Sequence, residues 1–154
     1  MSEISGESLC SLVQGFEAGT WPAANWKHEQ HVMLAACYIL DYPDALERLR
    51  TGIPAYNVSQ GGKNTADSGY HETLTIFWYL ILRKFLTGIP GMSRLESIHA
   101  AVREFAPKRD LFRDYYDFDV VKSTEARATW IPPTVGTPDI LPPLPAPVKS
   151  TVPE

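Results

Sequence analysis

Cysteine is scarce in this chain: Cys10 and Cys37 are the only two in 154 residues. That count excludes a small scaffold held by several disulfides, and both residues are expected to remain thiols. Long apolar runs are missing too. The longest, Ile76 to Leu82, is closed by Arg83 and Lys84 and is far too short to span a bilayer. Polybasic strips are also absent. The net charge is −4, and basic residues are mixed with acids, as in "PKRDLFRD". Neither a nucleic-acid partner nor an electrostatic membrane contact is expected from that balance. The opening "MSEISGESLC" lacks the basic and apolar regions of a secretion signal, so the expected location is cytoplasmic. Strand patterning is weak everywhere, which leaves an all-α fold.

Helical periodicity is what the chain does have. Leu9, Leu12, Val13 and Phe16 mark one apolar face of a helix over about 6–18, ended by Gly19 and Pro22. A second helix is expected over about 26–40 with Asn25 as its cap, and a short third over "PDALERLRTGI". The polar stretch "NVSQGGKNTADSG" then reads as a mobile loop, a candidate lid; its "GGKNT" lacks the glycine spacing of a phosphate loop. A fourth helix, about 70–86, is apolar nearly all round and belongs at the centre of a bundle. Ser93 and Glu96 form a capping box that opens a fifth helix, stopped before Pro107. Short helices are expected near 109–116 and 124–128. From Ile131 the composition changes, with eight of the thirteen prolines in the last stretch. The expected organisation is a bundle-like domain over 1–130 and an extended Pro-rich C-terminal arm over 131–154.

Histidine placement is the main functional signal. "WKHEQHVML" sets His28 and His31 three apart, so both side chains share one helical face. "SGYHETLTIFW" sets His71 at the opening of the central helix. With Asn25 and Ser68 as caps, His28 and His71 would each occupy the third helical position, where the helix dipole favours the neutral, metal-binding ring. The expected site is therefore a divalent transition metal (Fe, Zn, Mn or Ni) on His28, His31 and His71, with open coordination positions. Glu72 would be a fourth ligand or a general base; Glu29 also follows a histidine directly. The alternative is that these rings simply pack in a helical core, since "HEQH" is not the "HExxH" zinc signature.

Tyr38, Thr75 and Trp78 lie on the same helical stripes as the histidines and are candidate walls of a substrate pocket. Tyr115, Tyr116, Asp110 and Asp114 form a polar aromatic cluster, and Arg109 and Arg113 at i,i+4 could clamp a carboxylate. Tyr115 and Arg113 are the catalytic candidates there, beside Glu72. The stretches "W-x-H-x-x-H", "GYHETLT-x-FW" and "RDYYDFDVVKSTEARATWIPPTV" together resemble a family of small, uncharacterised bacterial helical proteins, over roughly residues 16–134. That resemblance implies that His28, His31, His71 and Glu72 form one site, and it implies no particular activity. The leading expectation is a metal-dependent enzyme, hydrolytic or oxidative, acting on a small molecule. The alternative is a non-catalytic ligand-binding or oligomeric interaction module with structural histidines. Broad apolar helix faces in a short chain also suggest a possible homodimer.

Overall fold

A computed structural model describes residues 4–135. Six α-helices run in chain order: α1 Gly6–Ala18, α2 His28–Asp41, α3 Ala45–Ser59, α4 Glu72–Thr87, α5 Arg94–Phe105 and α6 Thr124–Ala128. Single 3-10 turns cover Ala23–Asn25 and Leu111–Asp114. No strand occurs among the described residues, so the fold is all-α. None of the helices is long and apolar enough to cross a membrane.

Two helices form the centre. α2 packs against α1, α3, α4 and α5, and α4 against α2, α3, α5 and α6. The reason is in the side chains. α2 buries an unbroken run from Val32 to Tyr38, and α4 buries Ile76, Phe77, Leu80, Ile81 and Leu82 among others. Burying a Leu, Ile or Phe side chain contributes about 1.5–3 kcal/mol each, so these two helices supply much of the driving force. Cys37 lies within this core and Cys10 is exposed; both are unpaired.

Local signals place several boundaries. The Ser93 hydroxyl accepts from the Glu96 amide at 3.1 Å, and the Glu96 carboxylate accepts from the Ser93 amide at 3.1 Å, so α5 opens on the expected capping box. α1 ends at Gly19, whose φ is 75°; a Cβ there would also meet Ser59 at 2.8 Å.

Three boundaries differ from expectation. α2 starts after Lys27, whose amide is capped by the Gln30 side chain, so Asn25 is not the cap and His28 is the first helical residue. α3 does not stop at Ile53 but runs through Pro54 to Ser59. Proline there forfeits one helical hydrogen bond, and the extra turn places Tyr56 in the core. The Tyr56 ring stacks on Phe16 at 5.4 Å and its hydroxyl donates to the Trp21 carbonyl. α4 is capped by His71 itself and not by Ser68.

The C-terminal seam is stitched to α4. Thr73 is fully buried; its hydroxyl donates to the Thr129 carbonyl at 2.7 Å and accepts from the Ile131 amide at 3.0 Å. The Tyr116 hydroxyl donates to the Ile131 carbonyl at 2.7 Å, and the amides of Thr134 and Val135 both donate to the Tyr115 carbonyl. Residues 131–135, expected to begin the arm, thus belong to the helical body. The rest of the Pro-rich arm lies outside the described residues.

Candidate functional site: an aromatic cleft

A cleft of about 1220 Å³ opens between α2, α3, α4 and the 60–71 connection, with the 3-10 turn after α5 at its rim. Its walls are mostly apolar: Trp26, Leu49, Ile53, Tyr56, Leu74 and Trp78. Polar groups are interspersed among them, including His28, His31, His71, Tyr70 and Thr75, and five charged side chains also line the cleft. Its size suits a small organic molecule.

The three histidines do different jobs. At His71, Nε2 lies 2.8 Å from the Val120 carbonyl, and Nδ1 lies 3.2 Å from the Leu74 amide. A carbonyl only accepts and an amide only donates, so His71 is the neutral Nε2–H tautomer with both nitrogens used. Burial holds its pKa down, and the nearby Arg127 charge adds to this. The ring is a helix cap that joins α4 to the segment before α6. It has no lone pair left for a metal.

His28 is anchored at one nitrogen: Nε2–H donates to the Phe105 carbonyl at 3.0 Å. Its ring meets Trp78 edge-on at 4.8 Å, and burial lowers its pKa. His31 differs from both. Its ring lies 4.0 Å from that of Trp26, and neither nitrogen has a hydrogen-bond partner among the described residues. Desolvation, with a smaller contribution from the His28 charge, brings its pKa down to about 4. At neutral pH His31 therefore presents an uncharged imidazole to the cleft, with one donor and one acceptor.

Several expected site residues lie elsewhere. Glu72 is almost buried, and its two oxygens are taken by Arg50 at 2.8 Å and the Tyr70 hydroxyl at 2.6 Å. It ties α3 to α4 and is not free to act as ligand or base. Among the described residues no group of three or more His, Cys, Asp or Glu could hold a metal ion. The three-histidine set with Glu72 is thus not assembled. Tyr38 lies in the α1–α2 contact, donating to Glu17 at 2.6 Å, and does not line the cleft. Tyr115 packs its ring on Phe77 at 5.2 Å within the core, away from the cleft. Thr75 and Trp78 do line it, as does Arg113, an exposed side chain at 3.6 Å from Asp110.

Trp26, Tyr56, Tyr70 and Lys63 are among the cleft residues that sequence reasoning did not place there, whereas Arg109, expected with Arg113 to clamp a carboxylate, does line it. The 60–71 connection is a hydrogen-bonded wall. Asn64 donates from its side chain to the Pro54 carbonyl at 3.0 Å and accepts from the Tyr70 amide at 2.9 Å. Gly69, at φ 84°, is required by this wall, since a Cβ there would lie 2.4 Å from the Lys63 carbonyl. No known protein family, curated protein or solved structure matches the chain.

Proposed function

We propose that the protein binds a small organic molecule in this cleft, with its apolar body against Trp26 and Trp78 and a polar atom on His31. The observation that carries this reading is His31: a neutral ring facing an aromatic cleft, with no partner for either nitrogen among the described residues. His31 is half-buried, and a hydrogen-bonding group that the protein leaves unpaired in a concave site with aromatic walls is suited to a ligand. His28 is held by Phe105 and turned edge-on to Trp78, so it shapes the wall beside that contact.

The metal-dependent enzyme suggested by the histidine spacing has a narrower basis in this geometry. It would rest on His28 and His31 alone, because His71 and Glu72 are committed to α4 and α3. Metal analysis of protein purified without a histidine tag addresses it. The expected result is less than one transition-metal ion per chain; a stoichiometric ion lost on His31→Ala substitution would reinstate it.

The binding reading is tested by titrating bicyclic aromatic compounds against the indole N–H resonances of the four tryptophans. Trp26 and Trp78 should move and Trp21 and Trp130 should not. His31→Ala should weaken the tightest probe about tenfold, the worth of roughly one hydrogen bond in a desolvated site. Absence of any shift at Trp26 and Trp78 refutes it.

A further inference from the structure

The cleft differs in charge from the rest of the molecule. The whole chain carries 14 basic and 18 acidic residues. Around the cleft stand Lys27, Lys63, Arg109 and Arg113 with a single carboxylate, Asp110. Arg113 has Asp110 and Asp119 nearby, at 3.6 and 3.9 Å. Lys27, Lys63 and Arg109 have no ion-pair partner among the described residues. By contrast Arg48, Arg50 and Arg94 each pair with a carboxylate.

The backbone that carries two of the cleft's cations is itself hydrogen-bonded into the fold. Lys63 stands on the Asn64–Gly69 wall described above. Arg109 follows a turn in which the Lys108 amide donates to the Phe105 carbonyl, the same carbonyl that anchors His28. α2 begins at the rim, so the positive end of its dipole adds to the field. A neutral pair of histidines leaves this positive rim facing a deep apolar wall. An apolar wall of low dielectric beside fixed cations strengthens their pull on an anion.

We propose, building on the binding reading above, that the ligand is an organic carboxylate with a ring-sized apolar body. Its acid group sits at the rim on Arg109 and Lys63, and its body reaches His31 between Trp26 and Trp78. Arg109 supplies a planar fork that matches a carboxylate, and Lys63 a point charge.

The test uses a matched pair of probes, 2-naphthoate and 2-naphthamide, which share shape and differ in charge. Both are titrated against the Trp26 and Trp78 indole resonances at low and high salt. The carboxylate should bind roughly tenfold more tightly at low salt, and added salt should narrow the gap. Arg109→Gln and Lys63→Gln are exposed changes that should leave the helical circular dichroism intact. Together they should abolish the preference, bringing naphthoate affinity down to that of naphthamide in the same variant. Equal affinity for the two probes, or a preference that survives in the double variant, overturns the carboxylate assignment and leaves the cleft as a binding site. If neither probe shifts Trp26 and Trp78, the assignment and the binding reading both fall.

Discussion

Replacing His31 with glutamine should flatten part of the pH dependence of stability. In the folded protein the ring's pKa falls from 6.5 to about 4, chiefly by desolvation. Between those two values the unfolded chain binds more protons at this position than the folded chain, so stability rises with pH there. The neutral ring therefore contributes fully above about pH 6.5, and its contribution is lost as the pH falls toward 4. Linkage gives about 2 kcal/mol lost between pH 8 and pH 5 for such a shift. The ring keeps some solvent contact through the cleft, so screening reduces the expected loss to about 1–2 kcal/mol. His28 and His71 are shifted in the same direction, but they titrate in both proteins and largely cancel in the comparison. The assay is urea unfolding by circular dichroism across that pH range for both proteins. Wild type should lose about 1–2 kcal/mol more than His31→Gln on acidification. Parallel curves would show that His31 is well hydrated and titrates normally, which would remove the main support for the binding reading.

His71→Ala removes a helix cap and the bond to Val120 and should cost about 2 kcal/mol in urea unfolding; His71→Asn should recover about half, and equal damage by both would refute the capping role. Glu72→Gln leaves Arg50, partly exposed, with only the exposed Glu47 at 3.4 Å as charge partner and should cost about 1–2 kcal/mol, read as a lower melting temperature; an unchanged melting temperature would mean that the α3–α4 tie is solvated. Thr73→Val strips the two hydrogen bonds that the Thr73 hydroxyl gives the C-terminal seam, so the Ile131 amide should exchange faster with solvent, at a stability cost of about 1–3 kcal/mol. Unaltered exchange at Ile131 would show that the seam does not depend on that hydroxyl.

What could be read from the chain followed the range of the interactions concerned. α1, α5 and α6 match expectation at both ends because their signals are local: apolar spacing, the Ser93–Glu96 box, and prolines or glycine beyond. α3 overran its expected end because Tyr56 is drawn into a stack on Phe16 and a tilted contact with Trp26, residues far away in sequence. That packing outweighs the hydrogen bond lost at Pro54. His71 was read as a ligand because histidine at a helix start fits either role. Only the Val120 carbonyl, 49 residues onward, determines which nitrogen carries the proton and so makes the ring a cap.

Sequence alone therefore determined the class of fold, the central place of the α4 segment, and the position of His28, His31 and His71 near the openings of two helices. These depend on period, cap and composition, which act over a few residues. Tertiary structure decided how those histidines are used. It committed His71 and Glu72 to joining elements, moved Tyr38 and Tyr115 into the core, and left His31 facing a cleft. It also gathered Lys27 and Lys63, each unremarkable along the chain, around one opening with Arg109. The physical reason is that a ring nitrogen or a charged group takes its role from whichever partner the fold brings within about 3 Å, and that partner is not a neighbour in sequence.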